Sequence, residues 1–147
     1  MKYTLEIDIA LPVERVIELF DNPHNLKKWQ PDLISFETLS GVPGEEGTES
    51  RLLYRMGSKE IAMTETITVK QLPEHFSGVY ETDNVWNLVD NTFIPISENQ
   101  TRWVVKNEFK CSGFVKLMMM LMPGMFKKQS NRYMEQFKEF AETQVSG

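Results

Sequence analysis

The sequence predicts an α+β domain: a curved antiparallel sheet of about seven strands, two short helices after the first strand, and a long C-terminal helix against the sheet. Three observations lead there. Strand-like segments separated by turn residues run from Leu33 to Lys110, a Pro-initiated amphipathic stretch follows the first strand, and helix formers replace β-branched residues after Gly113. Short strands with regular turn signals imply an antiparallel meander, not alternating βα units. The 147 residues suit one domain over 1–147, and 41% hydrophobic with 25% charged residues is a globular balance.

The elements follow in order. From Lys2 to Ile9, Tyr3, Leu5, Ile7 and Ile9 alternate with polar residues, as in a strand with one buried face. Pro12 opens a helix, since its missing N–H would have no partner in a first turn. Val13, Val16, Ile17 and Phe20 recur at helical spacing until Asp21-Asn22-Pro23 stops them. A second short helix is expected from His24 to Trp29, ending before Pro31. Strands are expected over Leu33–Leu39, Thr48–Met56, Lys59–Lys70, a shorter stretch holding Phe76, Val79 and Tyr80, Val85–Ile96 and Thr101–Lys110. The glycine-rich turn Gly41–Gly47, Gly57-Ser58, Thr82-Asp83-Asn84 and Glu98-Asn99-Gln100 separate them. The terminal helix carries Phe114, Leu117, Met118, Leu121, Met122 and Met125 on one stripe, and Pro123-Gly124 should kink or divide it.

Composition narrows the function classes. A net charge of −5 disfavours nucleic acid as partner, because a weakly acidic surface repels phosphate. The lone Cys111 cannot form an internal disulfide, and the opening MKYTLEIDIALP lacks the apolar block of a signal peptide. The most hydrophobic stretch, Phe114 to Phe126, is too short to cross a bilayer. The cytoplasm is the expected compartment.

The opening Ile7-Asp8-Ile9-Ala10-Leu11-Pro12-Val13, then Leu19-Phe20-Asp21, Trp29-Gln30-Pro31, Gly41-x-Pro43-Gly44-x-x-Gly47-Thr48 and the long last helix resemble the START/polyketide-cyclase/Bet v 1 superfamily. The resemblance implies a helix-grip fold, in which a curved sheet wraps around the terminal helix and leaves a wedge of space. It does not choose among aromatic cyclases, lipid carriers, quinone-binding proteins and receptors, because these motifs are structural.

Candidate chemistry rests on polar residues among apolar ones. Glu65 shares parity with Ile61, Met63, Ile67 and Val69; Asp90 with Trp86, Leu88 and Ile94; Asn107 with Trp103, Val105 and Phe109. A carboxylate facing an apolar cavity would have a raised pKa and could act as general acid or base, or orient a ligand. A bulge, or a place at a wet strand end, would put any one of them elsewhere. Tyr54, Tyr80, Trp86 and Trp103 are further strand aromatics that could line the interior with Met63, while Met118 and Met122 would cover it from the helix. Neither His24 nor His75 has a second His or Cys at ligand spacing, so no metal site and no cofactor are expected.

Three functions follow: an internal cavity that binds a lipid, quinone or polyketide-like molecule; a cyclase or dehydratase using the same cavity with Glu65 or Asp90; or a docking module. For the last, Met119 and Met120 lie off the stripe, and Lys127, Lys128 and Arg132 would favour weak contact with an anionic membrane surface.

Overall fold

The computed structural model describes residues 1–144. Its elements are β1 (Lys2–Ile9), α1 (Val13–Phe20), a 3-10 turn (Pro23–Asn25), α2 (Leu26–Trp29), β2 (Leu33–Ser40), β3 (Glu49–Met56), β4 (Lys59–Gln71), β5 (His75–Thr82), β6 (Val85–Ser97), β7 (Gln100–Cys111), α3 (Gly113–Leu121) and α4 (Gly124–Thr143). The strands form one antiparallel sheet in the order β1-β7-β6-β5-β4-β3-β2. This is the helix-grip arrangement that the resemblance implied.

Local chemistry sets the boundaries. The Asn22 side chain accepts from the His24 N–H at 3.0 Å, which tightens the start of the expected second helix into a 3-10 turn. In the turn before β3, Gly41 has φ +87°, and a Cβ there would stand 2.8 Å from Thr48 Oγ1, so both conformation and space require glycine. The terminal helix divides at Met122-Pro123, because proline has no N–H to continue the ladder.

The two halves of α4 meet different surroundings. Its C-terminal half buries Met134, Phe137, Phe140 and Ala141 against Leu5, Ile9, Val16, Leu19, Trp29, Phe93 and Trp103. Phe137 is the hub, with ring centroids 5.2 Å from Trp29, 5.3 Å from Trp103 and 5.5 Å from Phe20. Its N-terminal half leans on β1 and β7 through Phe126, whose ring lies 4.7 Å from Phe109, and Ser130, 2.7 Å from the Tyr3 hydroxyl. Farther along, Lys138 Nζ donates to the Asp8 carbonyl at 2.6 Å, and Glu142 accepts the Ala10 N–H at 2.8 Å. The helix therefore lies along β1 and α2. Aromatic rings fill the interior beneath its C-terminal half. Beyond them, the floor is the inner face of β2–β6.

Candidate functional site

Strand register determines what that floor presents. Tyr3, Leu5, Ile7 and Ile9 of β1 pack on the core side, and they pair with Asn107, Val105, Trp103 and Thr101. Continuing across β6, β5, β4, β3 and β2, residues directly opposite one another share this inner face. One row crosses six strands: Phe109, Asn87, Tyr80, Glu65, Ser50 and Thr38. Five of these six are polar, and neighbours in such a row stand roughly 5 Å apart. The flanking row Met63, Leu52 and Phe36 is apolar, as are Val89 and Ile67 on the other side. A polar line thus runs across an apolar floor.

Glu65 and Tyr80 are surrounded by protein on nearly all sides, yet both keep part of their surface open. A side chain meets both conditions where it faces a hollow or cleft. Burial raises the Glu65 carboxyl above its ordinary pKa, and the Tyr80 hydroxyl beside it opposes the rise only in part. Tyr80 is itself held far up by burial and by the negative charge beside it. Gly78, two residues before Tyr80 on the same face, has no side chain, and a Cβ there would touch the Tyr80 ring at 3.4 Å. Its absence leaves room for the ring to lie along the strand.

Two further tyrosines close the group. Tyr54 donates its hydroxyl to Gln30 Oε1, beyond the end of α2, and burial raises its pKa. Tyr133 comes from α4, with its ring centroid 6.4 Å from that of Tyr54. At the β7 side, Asn107 is buried; its Oδ1 accepts from Asn87 Nδ2 at 3.4 Å, while its own Nδ2 has no partner. An unpaired buried N–H costs about 1–3 kcal/mol. Asn107→Leu should therefore leave the ligand-free protein as stable or up to about 1 kcal/mol more stable, despite the weak bond lost by Asn87. Urea denaturation would check it; a loss above about 2 kcal/mol would mean the amide is satisfied in solution.

The structure brings together Tyr54, Met63, Glu65, Tyr80 and Asn107 of the expected site, and separates the others from them. Trp86 and Asp90 sit on the outer face of β6. Trp86 is covered there by Lys110, 4.6 Å from its ring, and Asp90 accepts from Ser77 and contacts His75 at 3.2 Å. β6 carries large apolar residues on both faces, so the parity of Trp86, Leu88 and Ile94 pointed to the wrong side. Trp103 is inward but belongs to the aromatic plug, its indole N–H satisfied by Asn91 Oδ1 at 2.9 Å. Met118 is half-buried, and Met122 is exposed at the break before Pro123. His24 and His75 are both exposed. Cys111 is half-buried at the end of β7, where burial raises its pKa.

Sequence reasoning missed Thr38, Ser50, Asn87, Gln30 and Tyr133. Asn87 gave no local signal, because β6 carries large apolar residues on both faces and its parity has no direction. Short hydroxyl residues such as Ser50 and Thr38 read the same on either face of a strand.

Comparison with known proteins agrees with this architecture. The family described as polyketide cyclase / dehydrase and lipid transport matches residues 1–142. No curated protein sequence matches the chain. Among solved structures, a protein from Thermus thermophilus superposes with a TM-score of 0.79 at 19% identity, covering 99% of this chain and 100% of that one. The Zhui aromatase/cyclase from Streptomyces sp. R1128 gives 0.81 at 12% identity, covering 100% and 96%. A START superfamily protein from Mycobacterium smegmatis gives 0.74 at 12%, covering 98% and 96%. At these identities the likeness is one of fold.

Proposed function

This chain belongs to the polyketide cyclase / dehydrase and lipid transport family, and we propose that the inner face of its sheet binds a mostly apolar small molecule bearing several oxygen substituents. The observation that carries this reading is the polar row Asn87, Tyr80, Glu65, Ser50 and Thr38, laid across an otherwise apolar floor. Apolar burial would supply most of the binding, at roughly 25 cal/mol per Å² before ordering costs. Hydroxyl or carbonyl oxygens would meet the row and the unpartnered amide of Asn107. A quinone or polyketide-like molecule, with oxygens spread over its length, suits such a line better than a fatty chain with one polar end.

Two neutral probes test the proposal: N-phenylnaphthylamine, a fluorescent apolar dye, and juglone, a hydroxylated naphthoquinone. Wild-type protein is expected to bind both. Met63→Trp, which fills the floor beside Glu65, should weaken both by at least about tenfold with the melting temperature little changed. Absence of binding by the wild type, or a tryptophan at 63 without effect, would overturn it.

An enzymatic reading has one specific support. A carboxyl with a raised pKa, set beside a tyrosine hydroxyl on a largely apolar floor, is equipped for proton transfer to an enolisable ketone. Were it a cyclase or dehydratase, Glu65→Gln would abolish turnover of a polyketide analogue while leaving its binding measurable.

A further inference from the structure

We propose that α3, with the start of α4 and the β3–β4 hairpin beside it, is a docking surface for an anionic lipid bilayer. α3 has no buried residue. Its inward side consists of Val115, Met118 and Met119, all half-buried. Its outward side, Phe114, Leu117, Met120 and Leu121, is also apolar, at 70%, 50%, 69% and 71% exposure. These four fall within one face of the helix by their spacing. A surface helix whose solvent side carries a phenylalanine, two leucines and a methionine leaves a contiguous apolar strip in water, which marks a contact site.

Charge identifies the occupant. From Gly113 to Met134 the chain has four basic residues, Lys116, Lys127, Lys128 and Arg132, and no acidic one. The rest of the chain is therefore at −9, against −5 for the whole. Lys127, Lys128 and Arg132, with Glu135 as the one acidic residue, line a shallow depression with Gly124 and Met125 at the start of α4. Arg132 also borders a second depression that holds Asp32 and reaches Arg55, Met56 and Gly57 at the hairpin tip, where Met56 is exposed. An apolar strip flanked by cations is complementary to acyl chains beneath anionic headgroups. A second copy of the chain fits less well, because a two-fold interface would set the same cations against themselves. The surface lies on the outside of the molecule, so this proposal stands whatever the inner floor binds.

The test is co-sedimentation of the full chain with vesicles of phosphatidylcholine alone and of phosphatidylcholine mixed with phosphatidylserine. Binding is expected to the mixed vesicles, to weaken with salt, and to be much lower on phosphatidylcholine alone. Phe114→Ser with Leu121→Ser should weaken it by roughly tenfold or more. Lys127→Ala with Lys128→Ala should cost roughly fivefold per charge removed. Far-UV dichroism and melting of both double variants should match the wild type, since all four side chains are exposed. Failure of the wild type to sediment with either vesicle would overturn the proposal. So would equal binding to both compositions, or self-association that the serine variant abolishes in the absence of vesicle binding.

Discussion

Phe137→Ala should destabilise the protein by about 3–5 kcal/mol, the largest loss expected from any single truncation of α4. Phe137 is 0% exposed and sits at the centre of the aromatic plug, between Phe20 of α1, Trp29 of α2 and Trp103 of β7. Removing its ring costs the transfer energy of the lost carbons and leaves a cavity. The neighbours cannot readily close it: Phe93 and Trp103 are stacked on one sheet, and Trp103 is further fixed by its bond to Asn91. The consequence is also topological. The C-terminal half of α4 is where helix, sheet and both short helices meet, whereas the N-terminal half rests on fewer contacts. Loss of the plug should therefore release α4 from the sheet as well as lower stability. Urea denaturation would measure the first effect, and hydrogen exchange at Met134–Ala141 the second. A loss under about 1.5 kcal/mol would show that the plug repacks.

The fold was legible because its signals are local. Alternation marks β1, paired glycines and prolines mark the turn before β3, and Pro123 marks the division of the terminal helix. The site was legible only in part, because lining depends on which face of each strand turns inward. β4 declared its face, since Met63, Glu65 and Ile67 sit among exposed or polar alternates. β6 did not: with Trp86, Leu88 and Ile94 on one side and Val85, Val89 and Phe93 on the other, periodicity carries no direction. Only the pairing Val89–Asn107 and Phe93–Trp103, which links β6 to a neighbour of known facing, resolves it. The role of α3 was similarly ambiguous. An apolar helix suggests burial, yet the break at Pro123 frees it from the course of α4, and its far side is left uncovered.

The pH dependence of stability should change when Glu65 becomes glutamine. Burial raises the Glu65 pKa in the folded state above its unfolded value of about 4.3, so the fold favours the protonated carboxyl. Below the unfolded value both states are protonated, and the carboxyl adds no penalty. As pH rises from there to the raised folded value, the native state holds the extra proton and stability falls. Above that value the cost is constant. Glu65→Gln removes the charge and keeps an acceptor for the Tyr80 hydroxyl, so its stability advantage over wild type should grow from about pH 4 upward and then level off. At the alkaline end the raised Tyr54, Tyr80 and Tyr133 act in the same direction as Glu65: their unfolded forms ionise first, and both proteins should lose stability above about pH 10. Binding supplies the second half of the test. If the protonated Glu65 carboxyl donates to a ligand oxygen, replacing it by leucine should weaken juglone by roughly threefold to tenfold, the range for a hydrogen bond between neutral groups. N-phenylnaphthylamine, which has no oxygen to present, should bind the leucine variant as well as the wild type or better. Parallel losses for both probes would mean that the leucine merely distorts the floor, and a glutamine variant with an unchanged pH profile would mean that Glu65 reaches bulk water.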